Sequence, residues 1–310
     1  MAPASRPLSH DPLWPRAGSW PAFSGAADAA LLGVPTWRTS LSPTGAHATP
    51  AAVRDALLRY GTTLMGPPAV DLNERIRIAD AGDVVDPDGS AGEARVISRV
   101  RELADATDLV IALGGDNSLT YPVALGAEAT GLITFDAHFD LRDGVSNGTP
   151  VRRLVEDDPA ATALATTRID PTRIVQIGIA DFANSAAYAR RAADWGIRVI
   201  TLDELRRRGI DDVTEEALET AGSGADPRIH LDIDVDVCDR SVAPGCPASV
   251  PGGLQAWELR ALTRAVAADP RVVSADLAEV DATADAEDAR TVRLAALCVL
   301  ELLAGLVSRR

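Results

Sequence analysis

Lysine is missing from this chain altogether, so all 30 of its basic residues are arginine. Against 45 Asp and Glu they leave a formal net charge of −15. Nucleic acids and anionic membrane surfaces need basic patches, and neither is expected as a partner. Cysteine is scarce as well. Cys238, Cys246 and Cys298 show no CxxC spacing and cannot all pair, which excludes a disulfide framework and points to a reducing, cytoplasmic setting. The N-terminus lacks the charged start and apolar core of a signal peptide, and no apolar stretch reads as long enough to span a bilayer. Internal repeats, low-complexity linkers and sharp shifts in composition are absent too.

What is present, over 310 residues and with 46% hydrophobic content, is a regular alternation of apolar runs and helical patterns. Residues 1–27 read as an irregular arm packed by Trp14, Trp20 and Phe23. Strand patterns follow at 29–35, 75–82, 109–113, 132–135, 174–179, 199–202, 229–237 and 272–277. Helical patterns lie between them, near 50–58, 92–105, from Ser118, through an Ala/Arg-rich region reaching about 168, and at 288–307. Strands alternating with helices predict an α/β fold. The expected form is a three-layer α-β-α sandwich around a mainly parallel sheet of about eight strands, with residues 28–310 as one catalytic domain.

The polar residues are placed unusually. Four apolar strands run into acidic or polar groups at their C-terminal ends: Gly115-Asp116-Asn117, Asp136-Ala137-His138-Phe139-Asp140, Asp232-Ile233-Asp234-Val235-Asp236 and Glu279-Val280-Asp281. In open α/β sheets the ligand crevice lies at that edge. Alternate residues of extended backbone point the same way, so Asp136, His138 and Asp140 are expected to converge, and Asp232, Asp234 and Asp236 to share one strand face. Neither motif contains an arginine, and such a cluster repels itself unless a cation is present. Oxygen ligands with one imidazole suit Mn²⁺ better than a thiolate-type zinc site. Two ions roughly 3.5–4 Å apart, bridged by a carboxylate and a hydroxide, would absorb this charge and supply a nucleophile.

Gly114-Gly115-Asp116-Asn117-Ser118, Asp136-Ala137-His138-Phe139-Asp140 and Asp234-Val235-Asp236-Val237-Cys238-Asp239 with Ala243-Pro244-Gly245 resemble the three signatures of the ureohydrolase family, which holds arginases, agmatinases and formimidoylglutamases. The resemblance runs from about residue 28 to the C-terminus. It implies a centre of two Mn²⁺ ions per subunit, with Asp136, His138, Asp140, Asp234 and Asp236 matching five ligands. The sixth is usually a histidine; here Asn117 stands there, either as a weaker ligand that loosens one metal or as a helix cap. Asp232 stands where the family usually has Ser and is expected to hydrogen-bond the backbone. His230, at the start of its strand, reads as structural.

A second departure is the loop from Leu141 to Thr149, which has no histidine where arginases and agmatinases carry one. Asp-Ala-His-Phe-Asp-Leu-Arg with Gly-Thr-Pro-x-Arg is most similar to formimidoylglutamases, which convert N-formimidoyl-L-glutamate to glutamate and formamide. That implies Arg142, Asn147, Arg152, Arg153 and Glu279 as substrate contacts, with the arginines on carboxylates. Arg152 and Arg153 read equally well as a solvated helix face. Asp140 and Glu279 are the expected catalytic residues, Glu279 pairing with the amidinium and Asp140 or a metal-bound water supplying the leaving-group proton. An agmatinase or guanidino-acid hydrolase releasing urea, and a non-catalytic metal-binding relative, are the alternatives. The resemblance also implies a homo-oligomer, trimeric or hexameric.

Overall fold

The structure is a computed structural model that describes residues 9, 11–156 and 168–310. Eight parallel strands form its sheet: β1 (Ala29–Val34), β2 (Ile78–Asp83), β3 (Leu109–Gly114), β4 (Gly131–Phe135), β5 (Ile174–Ile179), β6 (Arg198–Thr201), β7 (Ile229–Asp234) and β8 (Val272–Ala278). Their order is β2-β1-β3-β8-β7-β4-β5-β6. The strand expectations hold in number and direction. Residues 72–75 form a helical turn, however, so β2 starts only at Ile78. The helical region expected to reach residue 168 is seen as Pro150–Val155; residues 157–167 lie outside the described residues.

Strands buried on both faces need apolar side chains on both, and most here supply them. One face carries Leu31, Ile111, Ile133, Val175, Leu231 and Leu277 against the helices Thr49–Leu57, Ile210–Ala221, Ala256–Ala267 and Arg290–Ser308. The opposite face is apolar only towards its two sides. Leu132 and Ile174 pack in one cluster and Leu32, Val110 and Ala112 in another, beneath the helices Gly89–Ala104 and Thr120–Gly126. Between the two clusters β7 presents His230, Asp232 and Asp234, all buried.

Arg290–Ser308 corrects one expectation. At 19 residues it is long and apolar enough to cross a bilayer, yet 78% of its apolar window is buried inside the protein. It is a core helix, apolar all round because neighbours cover it on most sides.

Candidate metal centre and active site

Both acidic motifs leave the sheet earlier than alternation predicts. β4 ends at Phe135, and Asp140 takes a left-handed backbone with φ 51°. β7 ends at Asp234, and Val235–Val237 form a 3₁₀ turn. Asp136 and Asp140, and Asp234 and Asp236, therefore do not meet through a shared strand face. Carboxylates capping their own chain drive the turns: Asp136 Oδ1 accepts the His138 amide at 2.6 Å, and Asp234 Oδ1 accepts the Asp236 amide at 2.8 Å. Such Asx turns are a short acid's usual alternative to extended backbone. Asp236 then ties the motifs together, taking the Ala137 amide at 3.0 Å on Oδ1 and facing His138 Nδ1 at 2.7 Å with Oδ2.

One ligand atom each from Asp136, His138 and Asp236 lies within 4.8 Å of the others. Asp136 Oδ2 is buried with no hydrogen-bond partner. A buried carboxylate oxygen with nothing to accept from is costly, and a bound cation would offset that cost. The electrostatics agree. Burial, and next the charge of Asp236, push the Asp136 carboxyl up to about 7. Burial, then the charge of Asp136, raises Asp140 well above the carboxylate range; burial, then that of Asp236, does the same to Asp234. Burial opposes a charge on His138, but Asp236 and Asp136 outweigh it and push the imidazole up to about 12. The donor set fits a hard or borderline divalent ion.

Glu279 sits just past β8, also left-handed at φ 61°. Its Oε1 accepts from the Asn117 amide at 2.8 Å and from Asn147 Nδ2 at 2.8 Å. Burial, and next the charge of Asp116, push its carboxyl up to about 8. Asn147, expected to touch substrate, is thus bonded to Glu279, and its Oδ1 takes the Leu41 amide at 3.0 Å. Asn117 is not the helix cap; Asp116 is, accepting from the Ser118 amide. Asn117 Nδ2 instead donates to Asp140 Oδ2 at 2.8 Å, while its Oδ1 accepts from the Thr120 hydroxyl at 2.6 Å.

The three arginines separate. Arg142 is exposed at the mouth of a cleft of about 490 Å³ that also reaches His138, Asp140, Asp234, Asp236 and Glu279. Among the described residues no carboxylate pairs with it. Arg152 is buried and holds the loop from beneath, donating to the carbonyls of Arg142 at 2.7 Å and Gly144 at 2.6 Å. Arg153 is not brought to the cleft. It forms a bidentate pair with Glu93 at 2.7 and 3.0 Å and lies 3.7 Å above the Tyr121 ring. A second cleft, about 480 Å³ and lined by Trp14, Tyr60 and Leu300, has no part in this chemistry.

Sequence reasoning missed Asn184, whose Oδ1 takes the Phe139 amide and whose Nδ2 holds the Ala137 carbonyl, bracing the metal-ligand loop. It also missed Asp276, which bonds the fully buried His230 at 3.0 Å. Neither oxygen of Asp232 has a donor, contrary to the expected backbone contact, and its carboxyl faces that of Asp276. Only strand neighbourhood exposes this group, and motif spacing does not carry it.

The Arginase family model matches residues 27–305. A formimidoylglutamase from Bacillus subtilis is 34% identical, with 89% of this chain and 86% of that protein covered. A guanidinopropionase from Pseudomonas aeruginosa is 32% identical over 91% and 88% of the two chains. Among solved structures, the B. subtilis formimidoylglutamase superposes with TM-score 0.85 at 28% identity, covering 99% of this chain and 96% of that one. The Trypanosoma cruzi formiminoglutamase with Mn²⁺ gives 0.79 at 26% identity, covering 92% and 95%. The profile, the sheet order and the converging acidic motifs lead to one conclusion: this chain belongs to the arginase family.

Proposed function

We propose that this chain hydrolyses N-formimidoyl-L-glutamate to L-glutamate and formamide. The observation that carries this reading is the cleft itself. Its lining brings together His138, Asp140, Asp234, Asp236 and Glu279, with a ligand atom of the buried Asp136 within 4.8 Å of those of His138 and Asp236, and its mouth holds an arginine that among the described residues has no carboxylate of its own. A Mn²⁺ centre, two ions in this reading with the Asn117 side the weaker, would be held by Asp136, His138, Asp140, Asp234 and Asp236. Bound there, it supplies Lewis-acid activation of water at neutral pH.

The chain's own residues do the rest. Glu279 has Oε1 occupied by two donors, which orients Oε2 to pair with the amidinium and hold the reacting carbon over the floor. Asp140 has Oδ2 occupied by Asn117, leaving Oδ1 for the proton that departs with the glutamate nitrogen as the C–N bond breaks. Arg142 binds a substrate carboxylate, and Arg152 keeps its loop in place. The same reading takes the chain as a cytoplasmic homo-oligomer, and its buried, unpaired cysteines suit a reducing compartment; of the expected arm, residues 1–8 and 10 lie outside the described residues.

Product analysis on Mn²⁺-loaded protein tests it. Formamide from formimidoylglutamate is expected, and urea from a guanidino acid with no formamide would transfer the chain to the guanidino branch. Arg142→Met should raise the Michaelis constant about tenfold to a hundredfold with kcat largely kept, as loss of a charged hydrogen bond predicts.

A further inference from the structure

One row deeper than the metal ligands, four polar side chains stand side by side across the sheet. Register pairs Gln176 with Thr134, Thr134 with Asp232, and Asp232 with Asp276, on adjacent strands β5, β4, β7 and β8. Laterally paired residues of parallel strands share a face and lie about 4.8 Å apart. All four are fully buried. Gln176 Oε1, Thr134 Oγ1, both carboxylate oxygens of Asp232 and Asp276 Oδ1 have no hydrogen-bond partner.

The nitrogens nearby are already committed. Gln176 Nε2 donates to the Phe139 carbonyl at 3.0 Å, His230 Nε2 meets Asp276 Oδ2 at 3.0 Å, and His230 Nδ1 meets the Ser274 hydroxyl at 2.8 Å. What remains is a run of unpartnered oxygens in the middle of a folded sheet. Buried polar atoms are almost always satisfied, and a buried carboxylate needs a counter-charge as well as a donor.

We propose that this row is a binding site for a monovalent cation, Na⁺ or K⁺, held by Asp232 with oxygens of Asp276, Thr134 and Gln176. The donor set is all oxygen, which excludes the thiophilic metals. Two of the four residues are neutral, and the site is closed to solvent, so a divalent ion that parts reluctantly with its water is disfavoured. A proton shared between Asp232 and Asp276 would answer only those two side chains, and bridging water would bring no counter-charge; a cation answers all four. Its place is beneath Asp136 and Asp234, each two residues further along the chain from Thr134 and Asp232, where it ties β4, β7 and β8 together under the metal centre. The assignment is independent of the substrate reading.

The test uses the full-length, Mn²⁺-loaded protein. Crystals soaked in thallous acetate should show Tl⁺ anomalous density between Asp232 and Thr134, apart from the Mn²⁺ positions. In solution the thermal midpoint should stand a few degrees higher in KCl or NaCl than in tetramethylammonium chloride at equal ionic strength. That difference should vanish in Asp232→Asn and in Thr134→Val, with Mn²⁺ stoichiometry unchanged. Ordered water in place of Tl⁺ overturns the proposal, and so does a salt difference that survives in Thr134→Val.

Discussion

Glu279 keeps one oxygen engaged and one open, and that asymmetry makes its role measurable. Glu279→Gln should lower kcat/KM by about a hundredfold or more, because a desolvated charge pair loses its charge. An unchanged kcat/KM would remove Glu279 from the amidinium. Asn147→Ala removes one of the two donors to Oε1 and should lose about tenfold, the worth of one hydrogen bond to a charged group. Asn147→Asp should do worse than Ala, since it sets a second carboxylate beside the first; a direct substrate contact predicts no such order. Asn147 was legible as important from its loop, but its partner lies 132 residues away in sequence. Asn117 shows the same limit. Its type read as ligand or cap, and the structure commits both ends of its amide, one to Asp140 and the other to Thr120.

At the scale of elements, the short helix Pro150–Val155 decides where the substrate loop sits. Arg153 anchors it in the protein through Glu93 and Tyr121, and Arg152 holds the loop's carbonyls. Arg153→Met leaves the buried Glu93 without a partner and should cost about 3–5 kcal/mol in urea unfolding, the usual penalty for breaking a buried pair. Adding Glu93→Gln should recover part of that loss. A substrate role for Arg153 predicts a raised Michaelis constant at unchanged stability instead. The strands themselves were legible because apolar runs ending in Gly or Asp have few other readings. The turns were not. Asp136 and Asp234 cap the chain just after them, and period-two alternation carries no signal for a carboxylate that bonds its own backbone. The Gln176–Thr134–Asp232–Asp276 row was invisible for another reason: only the strand order makes those positions neighbours.

For the molecule as a whole, the buried acids tie stability to both pH and metal. Asp136 and Glu279 sit at about 7 and about 8 in the folded, metal-free protein, against ordinary values of 3.8 and 4.5. Raised folded values mean that their contribution is full below the ordinary values and is lost as pH climbs through the folded ones. Bound Mn²⁺ requires the ionised form of its ligand Asp136 and favours that of Glu279 nearby, so its stabilisation grows over the same window and its uptake releases protons. The thermal midpoints of metal-free and Mn²⁺-loaded protein should therefore lie further apart at about pH 8 than at about pH 5, the difference that linkage predicts. Equal gaps would show that these carboxyls are not what the metal neutralises. The family and the parallel sheet were legible in the motifs and their spacing. The buried fate of Arg290–Ser308 was not, because hydropathy alone does not distinguish a core helix from a spanning one.

Asp140 and Glu279 share a backbone conformation that side-chain-bearing residues avoid, and each brings a buried acid into it. The centre is thus one of the places where the fold is held against its own backbone preferences, and there the strain coincides with buried charge. Asp140→Gly should inactivate the chain and yet raise the stability of the metal-free protein by about 1 kcal/mol, because glycine accepts the left-handed turn and carries no charge to bury. A screen of random variants for heat resistance alone, run without metal, should therefore select against catalysis, with positions 140 and 279 among the first to change.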